Sequence, residues 1–116
     1  MSQVSQAALA RLSELPEGQP IAVDASIDGE TESLILFREG ESVRAWRNIC
    51  PHAGRRLDWS PGQFLRSKEG LLICAVHGAS FKLAQGGECV AGPCKGQSLV
   101  AVDVLVHDGA ILLGRR

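Results

Sequence analysis

Apolar residues follow two rhythms along the chain. In the N-terminal stretch Val4, Ala8, Leu12 and Leu15 recur at helical spacing among good helix formers, and Pro16 follows. That spacing predicts a short N-terminal helix ended by the proline. From Pro20 the rhythm becomes that of short strands broken by turn residues. Ile21–Ala25, Ser33–Arg38 and Ser42–Arg47 are strand-like runs, with Asp28-Gly29 and Glu39-Gly40-Glu41 between them. In the third, Val43, Ala45 and Arg47 alternate with Arg44 and Trp46. Leu71–Ile73 is a short apolar strand, Phe81–Leu83 another, and Gly86-Gly87 turns the chain back. Leu99–Val106 and Ala110–Leu113 read as a closing hairpin about Asp108-Gly109. Regular turns without an internal repeat predict a small all-β domain.

Composition narrows this picture. A length of 116 residues suits one domain with a modest core, and an apolar content of 45% is ordinary for a globular protein. A formal charge of −1 argues against non-specific nucleic-acid binding, which needs a basic excess. No apolar run reaches the roughly 18 residues that a membrane helix needs, so no membrane partner is expected. The first residues lack a basic segment followed by an apolar one, so no secretory leader is expected and the cytoplasm is the expected compartment. There, four cysteines point to metal ligands or thiols before a disulfide framework.

Two short loops carry the candidate chemistry, Cys50-Pro51-His52-Ala53-Gly54 and Cys74-Ala75-Val76-His77-Gly78. The pattern is C-x-H, a gap of 21 residues, then C-x-x-H. Two thiolates and two imidazoles can hold one tetrahedral zinc. They can equally hold a two-iron cluster in which one iron takes both cysteines and the other both histidines. A structural zinc module usually has shorter gaps and a Cys-rich site. The two loops resemble those of the Rieske family of [2Fe–2S] proteins. A glycine directly after His77, another two residues after His52, and a third loop at Gly92-Pro93 agree with that family in order and spacing. The resemblance runs from about Ile21 to Leu113.

The resemblance implies a β-sandwich or barrel-like base with an inserted cluster-binding subdomain. Residues 1–19 would be the helix and linker, and 20–116 the domain. The subdomain would span about 48–83 and the proline loop about 89–94. It implies one [2Fe–2S] cluster per chain, with Cys50 and Cys74 on the inner iron and His52 and His77 on the outer, solvent-side iron. Gly54 and Gly78 would let backbone N–H groups approach the sulfurs without interference from a Cβ. Ala79, Phe81, Gly92 and Pro93 would surround the cluster. The implied function is that of an electron carrier, without catalytic residues, passing one electron from a reductase to a terminal oxygenase. After the four ligands are assigned, no two-histidine, one-carboxylate iron site is left to transform a substrate. An alternative is the small subunit of an assimilatory nitrite reductase, partnered by the large subunit. Many such subunits have lost the ligands, whereas this chain has all four. A zinc-held interaction module is the third reading.

Other residues carry less. Cys89 and Cys94 flank Gly92-Pro93 as C-x4-C. They can form a disulfide, a redox-active pair or two reduced thiols; in a reducing compartment reduced thiols are expected, and neither is expected to be a ligand. His107 beside Asp108-Gly109 reads as an exposed turn residue. Arg55 and Arg56 read equally as a steering pair for an acidic partner and as solvated surface. Trp46 and Trp59 read as packing residues. No Ser-His-Asp set, phosphate loop or dinucleotide fingerprint is present.

High-potential members of the resembled family carry a serine and a tyrosine where this chain has Ala79 and Phe81, so two hydroxyl donors to the cluster sulfurs are missing. The expected potential lies at the low end of the family's range, on the order of −150 mV rather than +300 mV. Film voltammetry of wild type and the Ala79→Ser, Phe81→Tyr double variant checks this. The double variant is expected to shift upward by on the order of 100 to 200 mV. A wild-type value well above zero contradicts the argument.

Overall fold

The computed structural model describes residues 8–27, 29–51, 54, 56–60, 62–74, 78–92 and 96–114. The strands are β1 (Ala10–Arg11), β2 (Pro20–Ile27), β3 (Glu30–Glu39), β4 (Ser42–Arg47), β5 (Leu65–Arg66), β6 (Leu72–Ile73), β7 (Ser80–Lys82), β8 (Glu88–Ala91), β9 (Val104–His107) and β10 (Ala110–Leu113). They form three antiparallel sheets in the orders β1-β10-β9, β2-β3-β4 and β5-β6-β7-β8. The three long runs read from the sequence are β2, β3 and β4. The closing hairpin pairs Ala110 with His107 across Asp108 and Gly109, both with positive φ, +51° and +77°. A two-residue loop of that kind matches the natural twist of the strands it joins. Two short strands, β5 and β8, were not legible as strands; each pairs through only a few residues and carries no long alternation.

Two expectations are overturned. The described part of the expected N-terminal helix is not α-helical; Val4, its first apolar position, lies outside the described residues. Ala10 and Arg11 pair instead with Ile111 and Ala110, and Leu12–Glu14 make a single 3-10 turn. A segment this short gains little from helical propensity alone. Lying along β10, it makes backbone bonds from Leu9 N–H to Ile111 O and Leu12 N–H to Gly109 O, at 2.7 and 2.8 Å. It still buries Leu15, and the Arg38 guanidinium donates to the Leu12 and Leu15 carbonyls at 3.1 and 3.2 Å. Among the described residues there is no α-helix, and the sheets do not close into a barrel. The segment after Leu99 bonds to β4 through Val100, Ala101 and Val102, then leaves it to enter β9. That brief seam joins the sheets without continuing either one around.

β3 is the central strand of its sheet, and Leu34, Ile35, Leu36 and Phe37 are all buried. Alternate side chains of a strand point to opposite faces. Ile35 and Phe37 accordingly join a core with Trp46, Cys50, Leu57, Leu72, Cys74, Ala79, Phe81, Leu83, Cys89 and Leu99. Leu36 joins a second with Leu15, Ala45 and Ile111. The first core carries the candidate chemistry. Trp46 is its largest member, and its indole N–H donates to Gly86 O at 3.1 Å. Trp59, expected to pack as well, is 64% exposed instead.

Gly87 closes this core from the far side. Its φ is +81°, and an added Cβ would stand 2.8 Å from Trp46 Nε1 and 3.2 Å from Leu99 Cβ. Gly87→Ala is therefore expected to destabilise the protein by about 1–3 kcal/mol, through overpacking and a strained backbone. Urea denaturation followed by tryptophan fluorescence measures it, and an unchanged midpoint contradicts the packing described.

Candidate metal centre

β4 leads through Asn48 and Ile49 to Cys50, and β6 leads directly to Cys74. Both cysteines are buried, at 1% and 0% exposure, and both stand in the first core outside any disulfide. Each begins a loop that closes on itself. Gly54 N–H donates to Cys50 O at 2.8 Å, and Gly78 N–H donates to Cys74 O at 2.9 Å. The sequence reading has these glycines let backbone N–H groups approach the sulfurs without interference from a Cβ. The structure gives another reason. Among the described residues nothing lies within 4 Å of a Cβ added at either, and each N–H group donates to a carbonyl. What both positions require is a left-handed backbone, with φ of +68° and +74°.

His52 and His77 lie outside the described residues, as do Pro93 and Cys94. Among the described residues no three His, Cys, Asp or Glu side chains gather into a metal site. The two cysteines nonetheless fit an iron–sulfur group. Thiolates taken into an apolar core are costly unless a cation stands beside them, and iron supplies that charge. Ala79 and Phe81 are both fully buried in the same core. Ser80, between them, donates its hydroxyl to Gly78 O at 3.3 Å. The third loop also reaches this place: a Cβ at Gly92 would stand 2.7 Å from Ala79 Cα and 3.2 Å from Gly78 O. Gly92, like Gly87, is thus a glycine whose missing side chain permits close approach.

Cys89 corrects the sequence reading, which expected reduced thiols at Cys89 and Cys94. Cys89 is disulfide-bonded and 1% exposed. The expectation rested on compartment alone, and its Cys94 half lies outside the described residues. His107 is, as expected, an exposed residue beside the turn, 3.4 Å from the Asp108 carboxylate.

The path between the two cysteine loops depends on residues that sequence reasoning missed. Asn48 is fully buried; its amide donates to Ser33 Oγ at 3.2 Å, and its Oδ1 accepts from Leu57 N–H at 2.9 Å. Asp58, with its side chain 1% exposed, accepts two bonds from Arg56 at 2.9 and 2.8 Å and one from Gly62 N–H at 3.0 Å. Arg56 is therefore engaged within the chain; Arg55 lies outside the described residues. Further on, Arg66 donates twice to Gly70 O, at 3.1 and 2.6 Å, and shapes the turn from β5 to β6. An asparagine just before a candidate ligand and an R-x-D step just after it were the available signals.

Comparison with known proteins agrees with the fold. The family model for the Rieske [2Fe-2S] domain matches residues 5–107. The ferredoxin of carbazole 1,9a-dioxygenase from Nocardioides aromaticivorans IC177 is 29% identical, with a TM-score of 0.70 over 97% of this chain and 100% of that one. A ferredoxin of Sphingomonas yanoikuyae B1 is 22% identical, with a TM-score of 0.66 over the same shares. A protein described as a putative small subunit of nitrite reductase is 22% identical, with a TM-score of 0.60, again over 97% of this chain and 100% of that one. At that identity the last two show the fold alone. Among curated proteins none matches at a significant level.

Asp58 makes the knot between the loops sensitive to acid. Bonding from Arg56, and then from Gly62 N–H, holds its carboxyl down from 3.8 to about 2, against the opposing effect of burial. Its folded value is depressed, so its stabilisation is present above about pH 4 and is lost as pH falls towards 2. The shift corresponds to about 2 kcal/mol, reduced to about 1 kcal/mol by the solvent around Arg56, whose side chain is 51% exposed. The stability gap between wild type and Asp58→Asn is expected to be constant above pH 5 and to close between pH 4 and 2. Urea melts at stepped pH measure the gap; one that persists at pH 2 contradicts this role.

Proposed function

The chain belongs to the Rieske [2Fe-2S] domain family, and from that premise we propose that it is the electron-carrying ferredoxin component of an oxygenase system. It takes single electrons from a reductase and passes them to a terminal oxygenase, and it transforms no substrate itself. Cys50, His52, Cys74 and His77 hold one [2Fe–2S] cluster per chain. A bound cluster of this type supplies a one-electron couple. One observation carries the reading: two buried cysteines, each in a loop closed by a glycine, stand on a fold shared from end to end with a dioxygenase ferredoxin.

The chain's own residues have three tasks here. Cys50 and Cys74 present sulfur inside a core from which Leu57, Leu72, Phe81 and Leu99 exclude water. Exclusion of water strengthens the electrostatic hold of a ligand on a metal. The Asn48 and Asp58 knot holds the first loop to β3, and the ladder from β6 to β7 holds the second. Ala79 and Phe81 offer no hydroxyl to the sulfurs, which favours a low potential. Among the described residues no helix is long and apolar enough to cross a membrane. A second reading, a small subunit within a nitrite reductase, is supported by the shared fold and is separated from the first by whether the protein purifies with a flavin- or haem-bearing partner.

The protein made with ample iron is expected to contain two iron and two acid-labile sulfide per chain. His52→Ala and Cys74→Ala are each expected to abolish the visible absorption and to lower the stability of the loop region. Metal analysis and absorption spectroscopy check both. Stoichiometric zinc without labile sulfide would falsify the reading.

A further inference from the structure

We propose that the cavity between the start of β2 and the approach to β5 is a binding site for a small organic carboxylate, received by Arg66. The cavity has a volume of about 390 Å³ and is lined by Gln19, Pro20, Gly62, Gln63, Phe64 and Arg66. That volume falls in the roughly 300–1,000 Å³ range typical of small-molecule sites.

The charge of Arg66 is the reason for an anion. Among the described residues no carboxylate pairs with its guanidinium, whereas Arg38, Arg44, Arg47 and Arg56 each have one. Its partners are neutral carbonyls. Gly70 O accepts from Nε and Nη2 at 3.1 and 2.6 Å, and Gly18 O accepts from Nη1 at 3.4 Å. Arg66 is only partly exposed, and burial pushes its pKa below the ordinary value. Arg56 shows the contrast, since the bond to Asp58 raises its pKa. A partly desolvated cation held by dipoles alone has the most to gain from an anion.

The donors of the site fit a carboxylate. A guanidinium has five N–H groups, and the three bonds above leave one on each terminal nitrogen. Two donors on a planar fork match the two oxygens of a carboxylate. Gln19 and Gln63 are exposed residues whose amides can bond a further polar group of the ligand. Inorganic phosphate carries more charge than one guanidinium balances. The fork is also held in place in advance. Gly70 has a φ of +88°, and an added Cβ would stand 3.3 Å from Arg66 Nη2. The turn that carries Gly70 is closed by Gly70 N–H to Ser67 O at 3.0 Å and Ser67 N–H to Leu71 O at 2.9 Å. A side chain so fixed loses little freedom on binding. Pro20 opens β2 and Arg66 lies in β5, so a bound carboxylate would join the base to the strand whose partner, β6, leads to Cys74. The bearing of the site on a cluster rests on the function proposed above; the binding of a carboxylate does not.

The test is isothermal titration of the full chain with sodium acetate and sodium benzoate, with sodium chloride holding the ionic strength constant. Saturable binding of one carboxylate per chain is expected. Arg66→Lys keeps the charge without the fork and is expected to weaken binding about tenfold. Gln63→Glu is expected to abolish it, because its own carboxylate occupies Arg66 while the bonds to Gly70 O stay in place. Amide exchange over residues 62–73 is expected to slow about threefold in saturating acetate, with residues 104–113 unchanged. Inorganic phosphate is expected to bind more weakly than acetate. No saturable heat with either carboxylate overturns the site, as does wild-type affinity in either variant or unchanged exchange over 62–73. Tighter binding of phosphate overturns the assignment to a carboxylate. A chain without labile sulfide overturns the proposed function, while the titration still decides this site.

Discussion

Burial of both faces of β3 is the constraint on which the rest depends. A strand with one solvated face serves a single core. β3 sends Ile35 and Phe37 one way and Leu36 the other, so each core uses the same backbone as its wall. One core keeps the base together through Leu15, Ala45 and Ile111, and the other surrounds the two candidate thiols. The sheet gains its register from this arrangement. A slip of one residue would exchange the two sets of side chains between cores of different shape.

The strands that feed the two loops were legible because each shows a short apolar run ending at a cysteine. The N-terminal segment misled, because Leu12 and Leu15 have a spacing that suits a 3-10 turn as well as an α-helix. What decided between them was an unpaired edge on β10, which lies about a hundred residues away in the sequence and is invisible to local pattern. The candidate ligands were legible as chemistry, since thiol and imidazole at close spacing imply a metal whatever the fold. The residues that place them were not. Asn48, Asp58 and Arg66 are ordinary polar residues in a sequence, and only burial turns them into structural ties.

Cys89 shows the limit of arguing from cellular context. Compartment predicts the average state of thiols, while the state of one cysteine depends on its own surroundings. The glycines make a similar point. Gly54 and Gly78 are required by backbone angle, and Gly92 by the proximity of another chain segment.

The matching closures of the two cysteine loops have one more consequence. Each hydrogen bond spans from a cysteine to the glycine four residues on, so the two loops are rings of one size. C-x-H and C-x-x-H therefore do not differ by an inserted residue. They are two registers on one template, with the histidine third in the first ring and fourth in the second. Removing a residue from either ring would break its closure. The spacing by which such motifs are recognised is thus a position within a fixed turn, and the cysteine–glycine interval is the quantity the backbone conserves.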